Sequence, residues 1–166
     1  GISAEQTKAD FAGQSLEPAD GILIAAALEF RGSLAECTLL KNSFDVKTAT
    51  MLATIAKDKQ ISLCGISAEQ TKADFAGQSL EPADGILIAA ALEFRGSLAE
   101  CTLLKNSFDV ETATVLAKIS KDKQISLCGI TAEQTEANFK NKLLYPADAI
   151  LIAAALEFRG LSSGAP

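Results

Sequence analysis

Residues 34–44, LAECTLLKNSF, return without a change as residues 98–108, and almost everything around them returns too. Laid over residues 65–128, residues 1–64 differ at four positions: Lys47 against Glu111, Met51 against Val115, Thr54 against Lys118 and Ala56 against Ser120. A third, partial copy starts at Gly129 and differs at nine of its first 32 positions; Tyr145, for example, stands where Glu17 and Glu81 stand before it. Such self-similarity excludes most ordinary folds, because each copy must adopt one shape and also pack on a neighbour of that shape. It points to a recent tandem duplication or a deliberately repeated chain.

Each block of 64 divides again, since residues 13–28 align with 41–56 and pair Gln14 with Asn42, Leu16 with Phe44 and Glu17 with Asp45. The block is therefore two coils, of 28 and 36 residues. Leu34, Cys37, Leu39, Asn42 and Phe44 follow the spacing LxxLxLxxNxL, a short strand with alternate residues inward and a turn marked by Asn. The intervening coils carry Gln6, Ala9, Phe11, Gln14 and Leu16 at those places, and Lys142 replaces the Asn or Gln in the last copy.

Five parallel strands are expected, centred on residues 9–12, 37–40, 73–76, 101–104 and 137–140. Their inward positions form a ladder of small residues, Ala9, Cys37, Ala73, Cys101 and Ala137, beside a ladder of large ones, Phe11, Leu39, Phe75, Leu103 and Phe139. A wrong register would scramble those sizes. A rival strand lies in the insertion at residues 57–70, where Ile61, Cys64 and Ile66 reproduce the spacing of Leu34, Cys37 and Leu39. Cys64 and Ala73 are too close in sequence to be neighbouring parallel strands, which need about a dozen residues of crossover. The Ala73 register is preferred, with Ile61, Leu63, Cys64 and Ile66 packed inside.

The helices mark their own ends. Pro18 suits a first helical position and Asp20 the positive helix terminus. Asp45 is the expected N-cap of the next helix, with Val46, Ala49, Leu52, Ala53 and Ala56 at helical spacing. Gly32 is the expected stop after Phe30 and Arg31.

A net charge of −6 and a pI near 4.7, with no basic run, argue against nucleic acid as a partner. The four cysteines are two positions repeated at an interval of 64, and both positions read as core. Buried thiols are expected in preference to disulfides or metal ligands, since the chain has no CxxC pair and no His. That choice favours a reducing, intracellular and cytoplasmic setting. The apolar run at residues 21–28 is far shorter than the roughly 20 residues a bilayer demands, so no membrane association is expected. Beginning at Gly1, inside a repeat, the sequence suggests a longer parent or a trimmed chain. Without His the commonest general base is missing. Glu5, Asp10, Asp20 and Glu36 recur with the repeat, as structural residues do, and no phosphate-binding glycine motif is present. An enzyme, a cofactor and a small-molecule substrate are not expected.

The Leu34–Phe44 segment and its spacing resemble the leucine-rich repeats, and the 28-residue coil resembles their ribonuclease-inhibitor-like class. The resemblance implies an α/β solenoid with a parallel sheet on the concave side and helices on the convex side. One array over residues 1–160 would hold the copies 1–64, 65–128 and 129–160, with 161–166 as a frayed tail. It further implies a non-enzymatic protein-binding scaffold that uses the outward strand residues. Those are Glu36, Thr38, Leu40 and Lys41, with Glu100, Thr102, Leu104 and Lys105. On the alternate coils they are Lys8, Asp10 and Ala12, then Lys72, Asp74 and Ala76. Leu40 and Leu104 stand out as apolar anchors facing solvent. The alternative is a structural segment that self-associates through uncapped ends and open strand edges. An all-helical solenoid is a third possibility, since β-favouring residues are few.

Overall fold

The computed structural model describes residues 1–159; the expected tail at 161–166 lies outside them. In chain order the elements are β1 (Lys8–Asp10), α1 (Pro18–Phe30), β2 (Glu36–Thr38), α2 (Val46–Lys59), β3 (Lys72–Asp74), α3 (Pro82–Phe94), β4 (Glu100–Thr102), α4 (Val110–Lys123) and α5 (Pro146–Phe158). The fold is mixed α/β, in two compact units. One comprises Gly1–Glu69 with Leu80–Gly96, the other Gln70–Ser79 with the chain from Ser97 onward. Among the described residues no helix is long and apolar enough to cross a membrane.

In the first unit β1 and β2 pair in parallel, Lys8 opposite Glu36, Ala9 opposite Cys37 and Asp10 opposite Thr38. The other edge of β2 is taken by the insertion: Cys37 N donates to Ser62 O at 2.8 Å and Leu39 N to Leu63 O at 2.9 Å. The second unit repeats this with β3, β4 and Ser126. The five-stranded sheet expected from the sequence is thus corrected to two two-stranded sheets, each extended by one further rung. The preferred Ala73 register is used in β3, whereas no strand centred on residues 64–66 forms: the rung beside β2 is Ser62, opposite Glu36, one residue out of the register that would set Cys64 against Cys37.

Side-chain amides explain where each sheet stops. Thr7 and Phe11 bond to the β2 side, so Lys8 and Asp10 turn their carbonyls outward. Gln6 Nε2 donates to Lys8 O at 2.6 Å and Gln14 Nε2 to Asp10 O at 3.3 Å. Gln70 and Gln78 cap Lys72 O and Asp74 O in the same way, at 2.7 and 3.2 Å. Residues 137–140 form no strand, and Ala137 is exposed. Strands of this type pair with the coil that follows them, β1 with β2 and β3 with β4.

The small ladder is buried at Ala9, Cys37, Ala73 and Cys101, and Leu39 and Leu103 are wholly buried; Phe11, Phe75 and Phe139 are half-buried. Ile61, Leu63, Cys64 and Ile66 are at most 3% exposed, which places the insertion in the core.

Helix starts follow their local chemistry. Pro leads α1, α3 and α5, and Asp20 Oδ2 accepts from Glu17 N at 2.9 Å. Asp45 Oδ1 and Asp109 Oδ1 accept from Thr48 N and Thr112 N at 2.8 Å, and these bonds hold both carboxyls below the usual range. The ends differ from expectation. Helix α1 stops at Arg31 with no left-handed residue at Gly32, whereas α2 and α4 end on left-handed Gln60 and Gln124, both with φ 56°.

Helix α1 buries Gly21, Ala25 and Leu28 and packs on α2. A Cβ at Gly21 would lie 2.5 Å from Thr48 Cγ2 and 3.1 Å from the Phe44 ring. Gly21→Ala ordinarily gains about 1 kcal/mol of helix propensity, but overpacking costs about 1–3 kcal/mol, so a net loss is expected. Ala149 holds that position in α5 and is exposed, so Ala149→Gly costs only the propensity, about 1 kcal/mol. Urea unfolding of both variants checks the pair; a stabilised Gly21→Ala chain contradicts the close packing.

Candidate interaction surfaces

The strands bring Lys8, Asp10, Glu36 and Thr38 onto one face, and Lys72, Asp74, Glu100 and Thr102 onto the equivalent face of the second unit. Lys8 Nζ lies 3.1 Å from Glu36 Oε1, and Lys72 Nζ 3.4 Å from Glu100 Oε2. The lysines are exposed, while Glu36, Thr38, Glu100 and Thr102 are half-buried. Asp10 and Asp74 are exposed, and each Oδ1 accepts from the amide of Ala12 or Ala76 at 3.0 Å.

Leu40 and Leu104 do not join this face. They are 4% and 8% exposed and belong to the core, which corrects their reading as solvent-facing anchors. The strands end at Thr38 and Thr102, and the backbone turns left-handed at Lys41 (φ 62°) and Lys105 (φ 61°). Strict alternation of faces holds only while the chain stays extended. The side chains of Lys41 and Lys105 are exposed, but their backbone amides are committed: Lys41 N donates to Asp84 Oδ1 and Lys105 N to Asp148 Oδ1, both at 2.8 Å.

No protein-family model matches the chain, and no curated protein matches it.

Two asparagines and two aspartates tie consecutive coils together, and the sequence reading missed how. Asn42 Oδ1 accepts from Gln14 N and Leu16 N at 3.1 and 3.0 Å, while Nδ2 donates to Phe11 O and Leu39 O at 2.9 Å. Asn106, 3% exposed, repeats the pattern with Gln78 N, Phe75 O and Leu103 O. Asp84 joins Lys41 N to Glu81 N, and Asp148 joins Lys105 N to Tyr145 N. Burial pushes the Asp84 carboxyl up. Their recurrence with the repeat was visible; their reach to the preceding coil was not.

The four cysteines are buried, and none forms a disulfide among the described residues. Burial, helped by the Asp10 carboxylate, pushes the Cys37 thiol up to about 12, and burial alone pushes Cys64 to about 11. At neutral pH both are protonated, so neither has the thiolate that attacks carbon or binds a soft metal. Among the described residues no cluster of three or more His, Cys, Asp or Glu is placed to hold a metal ion.

Two apolar hollows flank α1. One of about 450 Å³ runs between α1 and α2, lined by Ile22, Ala26, Met51 and Ile55; the other, about 300 Å³, is lined by Phe11, Leu16, Asp20, Leu23, Ile24 and Ala27.

Proposed function

We propose that the chain is a leucine-rich-repeat solenoid, sheet on the concave side and helices on the convex side, that binds a protein partner without catalysis. The observation that carries this reading is the asparagine at the end of LAECTLLKN, which bonds backbone groups of its own coil and of the coil before it. That is the interlock a stacked array of such coils calls for. The charged strand residues, Lys8 and Asp10 on the first unit and Lys72 and Asp74 on the second, supply the polar recognition groups of each unit, together with the exposed side chains of Lys41 and Lys105. Reduced, buried thiols support an intracellular, cytoplasmic setting. Nucleic acid, membrane and small-molecule ligands have no part in this reading.

Lys8→Gln with Lys72→Gln removes the positive charge from both strand faces and breaks two ion pairs whose lysines are exposed, each worth under about 1 kcal/mol. The variant is expected to fold and melt like the parent and to lose a partner that the parent captures. Retention of that same partner at unchanged affinity would count against the sheet face.

A second reading is self-association through the α1 end. It is favoured by the 71% exposure of Leu23 and 81% exposure of Phe30.

A further inference from the structure

Helices α1, α3 and α5 share the sequence PADxILIAAALEF, with Ala149 replacing Gly21 and Gly85. They bury different parts of it. Packed on α4, α5 buries Ala147, Asp148, Leu151, Ala154 and Ala155. Packed on α2, α1 buries the complementary set, Gly21, Ala25 and Leu28, and leaves the counterparts of the first set open. Leu23 is 71% exposed where Leu151 is wholly buried.

Polar groups show the same vacancy. Asp84 and Asp148 each give Oδ1 to the turn amide of the preceding coil, and the equivalent oxygen of Asp20 has no partner among the described residues. Arg95 holds Ile66 O of its own copy through Nε at 3.1 Å and, on the preceding coil, Ala35 O through Nη2 at 3.2 Å; Arg31 stands at the same place in α1. The open side of α1 therefore carries both the apolar surface and the hydrogen-bonding groups for a coil of the LAECTLLKN type.

We propose that this side of α1 docks a second copy of the chain, taking the place that α5 holds on α4. The inference rests on the self-association reading and names its contacts. Asp20 accepts from Lys105 N of the second copy, Leu23 and Ala27 cover α4, and Arg31 caps Ala99 O. The resident coil is the weaker occupant of that site, since residues 137–140 form no strand. Exchange of near-identical elements is a low-cost route to association, and a head-to-tail contact of this kind repeats from copy to copy.

Exposed charges allow a test that leaves the core alone. Lys121 Nζ lies 3.2 Å from Glu157 Oε2, and the counterpart of Glu157 on α1 is Glu29. Lys121→Glu repels the chain's own α5, and Glu29→Lys on the incoming α1 restores attraction. Sedimentation velocity under reducing conditions is expected to show the double variant assembling at a concentration roughly three- to ten-fold lower than the parent. Glu29→Lys alone should weaken assembly, and Asp20→Ala added to the double variant should reverse its gain. Circular dichroism checks that helix content is kept; were it lost, Asp148→Ala loosens α5 by another contact and should shift assembly the same way. A double variant no more associated than the parent, or assembly indifferent to Asp20, overturns the exchange. Parent assembly that ignores both Asp20 and Glu29 would sink the exchange and leave self-association standing, whereas monomers throughout would remove both.

Discussion

Asn106→Ala is expected to destabilise the chain by about 3–5 kcal/mol, because it strands several backbone groups at once in a place water does not reach. Gln78 N loses its acceptor, and Phe75 O and Leu103 O lose their donor, around a side chain that is 3% exposed. Each orphaned buried group costs about 1–3 kcal/mol, which outweighs anything the removed side chain gains in entropy. Asn42→Ala breaks four bonds of the same kind, but Asn42 is half-buried, so water replaces part of the loss and a smaller effect is expected. Urea midpoints of the two variants measure the difference. A cost for Asn106→Ala under about 1 kcal/mol would show that the coils are not held together by this interlock.

Alkaline pH should bring the second large effect. Cys37 and Cys64 have folded-state values of about 12 and about 11, above the ordinary 9.0 that the unfolded chain regains. Between pH 9 and 11 the unfolded state therefore binds fewer protons than the folded one, and stability falls as pH rises. The thiol contribution is complete below pH 9 and fades through the folded values. From pH 8 to pH 10.5 each of these two thiols should remove about 2 kcal/mol. Cys37→Ala costs stability at neutral pH by leaving a cavity, yet it should flatten the alkaline decline by about that amount. Unfolding curves at the two pH values test this, and an unchanged slope in the variant would mean that Cys37 ionises freely in the folded state. The N-cap carboxylates act at the other end of the scale. Asp45 and Asp109 are held below their ordinary value, so their contribution is present above it and is lost as pH falls.

Much of the fold was legible in the repeat. Helix starts at Pro18 and Asp45, the inward Cys37 and Leu39, and the buried insertion from Ile61 to Ile66 all follow from spacing and cap chemistry. The continuous sheet did not follow, because pattern says which way side chains point and nothing of which strand edge is already occupied. Gln6 and Gln14 stood at the repeat positions of Leu34 and Asn42, and only geometry shows their amides on the Lys8 and Asp10 carbonyls. Leu40 was misplaced because alternation was carried two residues past Thr38, into a left-handed turn. The open side of α1 was invisible in composition, since the same PADGILIAAALEF reads alike whether or not a neighbour covers it; only a comparison of buried sets separates them.

The glutamine caps have a consequence for how such a chain finds its own shape. When two segments are spelled alike, a strand emerging from one cannot distinguish its proper neighbour from the duplicate 64 residues away by side-chain fit. Cross-linking between duplicates, or between molecules, is then a matter of which backbone groups are vacant. With Lys8, Asp10, Lys72 and Asp74 carbonyls already occupied by amides a few residues along the same segment, that vacancy closes locally and early. The proofreading of an ambiguous text is done by its own punctuation.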